Sequence, residues 1–94
     1  MNIEFDRAKD AANIAKHGVS LALAHELEWE LLFSRTDDRK EYGESREIGL
    51  APIGTRVFCV VFVQRGERYR IISLRKANSR EVKHYASTLK NSDL

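Results

Sequence analysis

Seven consecutive residues, Val57-Phe58-Cys59-Val60-Val61-Phe62-Val63, carry no charged or hydrogen-bonding side chain beyond one thiol. A strand points successive side chains to opposite faces, so a run that is apolar at every position must be covered on both sides. Valine and phenylalanine favour the strand, and seven residues fall far short of the ~20 that a membrane helix requires. The chain must therefore lay structure over each face of a central strand. Helices over an antiparallel sheet, an α+β arrangement, meet that demand.

Turns bracket the run. Pro52-Ile53-Gly54-Thr55 precedes it, and Gln64-Arg65-Gly66-Glu67 follows as a hairpin turn with a glycine to accept positive φ. Residues 46–51 read as a strand with Ile48 and Leu50 on one face. Residues 68–75 read as the next, with Arg68 and Arg70 on one face and Tyr69 and Arg75 on the other. Connections this short force neighbours to run antiparallel. A short strand is expected at 32–35, and 36–45 is a polar loop.

Three helices are expected around this sheet. The first spans 6–17, with Asp6 as N-cap, Gly18 at C′ and a thin apolar face of Ala8, Ala11, Ala12 and Ala15. Ser20 caps a second over 21–31, where Leu23, Ala24, Leu27 and Leu31 recur at helical spacing. Asn78 and Glu81 make a capping box for a third over 79–90, whose apolar face is Val82, Tyr85, Ala86 and Leu89. The expected order is α-α-β-β-β-α: two N-terminal helices, an antiparallel sheet of three to four strands and a C-terminal helix. At 94 residues, one domain spans 1–94.

The net charge of +2 conceals a partition. Residues 1–30 carry three basic and six acidic groups, 31–64 five of each, and 65–94 eight basic and three acidic. Arg65, Arg68, Arg70, Arg75, Lys76, Arg80, Lys83 and Lys90 thus gather on one turn, one strand and the last helix. Taken singly, each is a solubilising surface group or half of a surface ion pair. As a cluster, they favour nucleic acid or an acidic partner, bound with a steep salt dependence.

Much else is excluded. The single cysteine forbids an internal disulfide or a multi-thiolate metal site, and Cys59 reads as an inert core thiol. No HExxH, GxGxxG, GxxxxGK[ST] or GxSxG occurs, so neither a metal nor a nucleotide cofactor is expected. The N-terminus, Met-Asn-Ile-Glu-Phe-Asp, is acidic where a signal peptide is basic, which sets the expectation of a reduced, cytoplasmic protein without a membrane segment.

Metal-free phosphodiester cleavage remains, because it needs no fixed motif. RNA is cut by its own 2′-hydroxyl when a base deprotonates it, an acid protonates the leaving 5′-oxygen and cations stabilise the phosphorane. Arg70, Arg75 and Arg80 are candidate cations. His17, His84, Glu44 and Glu47 are candidates for proton transfer. His17 also suits a helix C-terminal cap, where its pKa would tend upward. His25 reads as a surface residue, and Tyr85 as core or as a base-stacking platform.

These residues resemble a known family. Phe5-Asp6, Lys9, Asn13 and Lys16-His17-Gly18-Val19-Ser20 resemble the N-terminal signature of the BrnT toxins, and Arg70-Ile71-Ile72-Ser73, Arg75, Ala77, Glu81 and Tyr85 resemble their C-terminal signature. Leu21 departs from an aromatic residue common after the serine. The resemblance implies a type II toxin with a fold similar to the RelE-like toxins, cleaving cellular RNA without a metal and inhibiting growth. It also implies a BrnA-like antitoxin as partner, through which promoter DNA is reached. Of the matching residues, the resemblance implies Arg70 and Arg75 on phosphate and His17 in proton transfer; with Arg80, taken from the basic cluster, these are the expected catalytic residues. Lys16 and Tyr85, which also match, are expected to bind RNA together with Arg68, Lys76, Lys83 and His84 of the cluster, and Glu81 serves the capping box. The competing readings are a non-catalytic basic binding module and an inactive relative that acts only as the antitoxin's partner and co-repressor.

Overall fold

A computed structural model of the chain describes residues 1–39, 41 and 43–91. In chain order the elements are β1 (Asn2–Glu4), α1 (Arg7–His17), two 3₁₀ segments (Leu21–Glu26 and Trp29–Leu31), β2 (Phe33–Asp37), β3 (Arg46–Ile53), β4 (Arg56–Arg65), β5 (Arg68–Lys76) and α2 (Ser79–Asn91). The strands form one sheet ordered β1-β5-β4-β3-β2, with the apolar run inside the central β4.

This overturns the expected architecture in three respects. The sheet has five strands and is mixed, because β1 pairs parallel to β5, Ile3 facing Tyr69. Three residues are too short to display an alternation, and a pairing between opposite ends of the chain leaves no local trace. The polar stretch expected to be loop from residue 36 begins inside β2, which extends through Asp37 against Arg46. And the second N-terminal helix is absent. Leu21, Ala24 and Leu27 are the buried members of that segment, at 0%, 0% and 5% exposure. Their interval is three, the repeat of a 3₁₀ turn rather than of an α-helix. Leu27 then leaves in extended conformation, with φ −63° and ψ 141°.

One face of the sheet is covered by this 3₁₀ segment. Leu21, Ala24 and Leu27 pack on Ala51, Phe58, Val60, Phe62, Ile71 and Leu74, the main core. Trp29 closes it from the side, edge-on to Phe62 at 5.3 Å, its indole N–H donating to the Ala24 carbonyl at 3.0 Å. The opposite face is only partly covered. There α2 seats Tyr85, with Ala77, over Leu50 and Cys59, and the Tyr85 hydroxyl donates to the Leu31 carbonyl at 2.6 Å. Val82 and Leu89, expected to be buried with Tyr85, are 39% and 43% exposed.

The first helix follows its expected caps. Asp6 accepts from Lys9 N at 3.0 Å, and Gly18, at φ 75°, donates to the Ile14 carbonyl at 2.8 Å. Its packing is different from expectation, since Ala8, Ala11, Ala12 and Ala15 are all exposed and the buried residue is Asn13. The Asn13 amide donates to the Leu74 carbonyl at 2.7 Å and to the Val19 carbonyl at 2.9 Å, and its oxygen accepts from Leu74 N at 3.1 Å. β1 covers the outer edge of β5 only as far as Arg70. Beyond it, one asparagine side chain pairs with the backbone as a strand would, satisfying groups that would otherwise be buried bare. That pairing holds α1 beside the sheet.

Candidate functional site

The half-covered face of the sheet carries the cations, and its composition depends on one extra residue. Between β4 and β5 the register runs Cys59↔Arg75, Val60↔Leu74 and Val61↔Ser73, then jumps to Phe62↔Ile71, Val63↔Arg70 and Arg65↔Arg68. Ile72 is left over as a β-bulge, which reverses the alternation of everything beyond it. Uninterrupted alternation separates Arg75 from Arg68 and Arg70. With the bulge, Arg65, Arg68, Arg70, Ser73 and Arg75 all fall on the face of Cys59, Val61 and Val63.

Along this face α1 raises one wall of a groove of about 410 Å³. Lys9, Asn13, Lys16 and His17 contribute from the helix, Ser73 and Arg75 from β5, and Arg39 from beyond β2, over a floor of Ile48, Cys59 and Val61. Lys16 and His17 are here brought together with Arg75, which is far from them in sequence. Gly18 ends α1 directly after His17, so the imidazole sits at the groove end of the wall.

Electrostatics distinguish the groove's members. Burial holds the His17 pKa below the ordinary imidazole value, and the charges of Lys16 and Arg75 lower it further. The upward tendency expected at a helix C-terminus is thus outweighed, and His17 is neutral at pH 7, able to accept a proton. Arg75 is fixed by Glu81, with Nη1 donating to Oε1 at 2.8 Å and Nη2 to Oε2 at 2.9 Å. Nη1 also reaches the Lys76 carbonyl at 3.3 Å. A guanidinium has five N–H donors, so two remain for an anion in the groove. Glu81 closes the expected capping box as well, accepting from Asn78 N at 2.9 Å while Glu81 N donates to Asn78 Oδ1 at 2.8 Å. Its second partner, Arg75, keeps its carboxyl below the usual carboxylate range.

The sequence's charge partition is partly cancelled in three dimensions. Glu4 of the acidic start pairs with Arg68 at 3.0 Å, and Glu44 pairs with Arg65 at 2.5 Å. Among the described residues, Lys9, Lys16 and Arg70 form no ion pair.

Other sequence candidates fall elsewhere. Arg80 and Lys83 are exposed on α2 and do not line the groove. Lys76 opposes Phe58 and so points to the other face, as does Glu47, whose carboxylate accepts from Thr36 Oγ1 at 3.0 Å. Tyr85 is 4% exposed and bonded to Leu31, which leaves its ring no open side for stacking. His84 stands apart from His17, its ring 5.6 Å from that of Phe33. His25 is exposed. Cys59 lies 3% exposed in the floor, its thiol pushed up by burial. Arg39 and Ser73 line the groove without having been candidate site residues in the sequence. Arg39 follows β2 in a polar stretch without period, and only the bulge turns Ser73 inward beside Arg75.

Among the described residues no helix is long and apolar enough to cross a membrane, and no three His, Cys, Asp or Glu gather where they could hold a metal ion. A comparison with curated proteins finds no match to the chain. The sequence model of BrnT, the ribonuclease toxin of type II toxin–antitoxin systems, matches residues 5–81.

Proposed function

From the premise that this chain belongs to the BrnT family of ribonuclease toxins of type II toxin–antitoxin systems, we propose that it cleaves cellular RNA in the groove between α1 and β5, arrests growth by doing so and is neutralised by a BrnA-like antitoxin. The observation that carries this reading is the convergence of a neutral histidine, an oriented arginine and an unpaired lysine on one groove. Among the described residues its lining contains no carboxylate, so the donor set suits a phosphodiester and not a divalent cation.

RNA lies with its scissile phosphate against the two remaining Arg75 donors, and Lys16 adds a second cation. His17 takes the proton from the 2′-hydroxyl, which attacks the adjacent phosphorus. The five-coordinate species gains negative charge on its equatorial oxygens, where Arg75 is already positioned, and it collapses to a 2′,3′-cyclic phosphate as the P–O5′ bond breaks and the leaving 5′-oxygen takes a proton from solvent. Arg70, two register positions further along the same face, extends the cationic track for the flanking backbone. Arg80, Lys83 and Lys76 contribute at most to the long-range field. The antitoxin is placed over the groove, where covering the cations blocks RNA directly, and DNA is reached only through that partner.

The test is inducible expression of the chain with and without an antitoxin frame encoded beside it, followed by RNA analysis, together with cleavage by purified protein in chelator. Growth arrest and cleavage in wild type, both lost in Arg75→Ala that retains its circular dichroism, are expected. Cleavage undiminished in folded Arg75→Ala removes the groove from the chemistry. Tight RNA binding without cleavage or arrest favours the binding-module reading.

A further inference from the structure

On the far side of the Arg75–Glu81 pair from the groove lies a second recess, of about 130 Å³. The two share Ile48 and Cys59 as floor, while Arg75 lines one and Glu81 the other. The recess differs from the groove in chemistry. Its walls are apolar and aromatic, from Phe33, Leu50 and the His84 ring, with one cation, Arg35, and the one carboxylate. Phe33 and His84 meet edge to face at 5.6 Å and 67°, and Phe33 is 40% exposed, so a flat ring entering the recess finds an open aromatic surface to stack on.

We propose that this recess receives the nucleobase next to the phosphate bound at Arg75, and that it selects an amino-bearing base over uracil. The inference rests on the ribonuclease reading for its substrate and adds to it a source of sequence preference. A polynucleotide bound through its phosphate at Arg75 has its neighbouring base one side-chain width away, on the other side of the ion pair. Glu81 is there an acceptor only, with both oxygens already oriented by Arg75 and Asn78. An exocyclic amino group of cytosine, guanine or adenine donates to it, and uracil brings a carbonyl in that position and is repelled. Arg35 donates to a carbonyl of cytosine or guanine, or to a ring nitrogen of adenine. One arginine–glutamate pair thereby serves both sides, its cation facing the backbone and its anion facing the base.

The test uses short 2′-O-methyl oligonucleotides, which lack the attacking hydroxyl, with each base varied in turn at fixed salt and affinity read by fluorescence anisotropy. At one position uracil should bind about tenfold more weakly than cytosine or guanine, the discrimination typical of one well-placed polar contact. That spread should collapse in both Phe33→Ala and His84→Ala, two exposed-edge truncations whose folding is checked by circular dichroism. Binding without base preference, or a preference undiminished in both folded variants, overturns the proposal. Cleavage of the matching all-ribose strands is scored separately. Base-dependent binding without cleavage defeats the ribonuclease reading and leaves the recess standing, whereas cleavage without base preference defeats the recess alone.

Discussion

Glu81 and Arg75 face each other through two parallel hydrogen bonds of 2.8 and 2.9 Å, and the same carboxylate closes the N-terminus of α2. One side chain therefore fixes a helix start and the direction of a guanidinium on the neighbouring strand. A capping residue is usually judged by the helix it stabilises. Here its second task is to keep a cation pointed into a groove.

Glu81→Gln separates these tasks, because glutamine also closes capping boxes but carries no charge. The pair is partly exposed, so the expected stability loss is only about 1 kcal/mol, read by urea denaturation. Cleavage should fall more, by about tenfold in kcat with KM little changed, since Arg75 remains present but loses its orientation. A raised KM with kcat unchanged would show that Glu81 acts on binding alone.

His17 sets the pH dependence. Its pKa in the fold is depressed by burial and by Lys16 and Arg75, so the unfolded chain binds its proton more readily. The stabilising contribution is then complete above the ordinary value of about 6.5 and is lost as pH falls through the lower folded value. A base with this setting gives a cleavage rate that is flat near pH 7 and declines on the acid side with a midpoint below 6.5. His17→Ala should remove that acid limb along with most of the activity. An unchanged limb in the variant assigns the proton to another group.

Asn13→Ala tests the clamp between α1 and β5. Its loss strips partners from the Leu74 N–H and carbonyl and from the Val19 carbonyl. Buried backbone groups left unpaired cost about 1–3 kcal/mol each before relaxation, so a net loss of about 3 kcal/mol is expected in denaturation. Activity should fall even in the surviving folded fraction, because α1 carries Lys16 and His17. A loss under 1 kcal/mol would mean that water replaces the amide without disturbing the helix.

What the sequence disclosed depended on whether the signal was local. The Asn78–Glu81 capping box, the Asp6 cap and Gly18 stop of α1, and the hairpin around Gly66 are contained within a few residues and appear as expected. So does the two-sided burial of β4. The segment after Ser20 was misjudged because Leu23 and Leu31 supplied an α-helical spacing while Leu21, Ala24 and Leu27, three apart, did the packing. β1 and the Asn13 clamp join residues more than sixty apart in sequence, and neither leaves a periodic trace. Within the candidate site the residue types were visible, but their grouping was not. Alternation along β5 separated Arg75 from Arg70, and no composition or motif announces an extra residue between them.

Ile72 therefore acts on β5 as a phase slip acts on a wave. The disturbance is confined to one residue, yet every position beyond it is inverted, out to the end of the strand. Were the same residues paired without the slip, Arg68 and Arg70 would fall in the places of Tyr69 and Ile71, and the core would meet guanidinium groups where it now meets rings and branched chains. The electrostatic sidedness of this small sheet is thus held by a count, odd instead of even: one residue more on β5 than on the strand it pairs with.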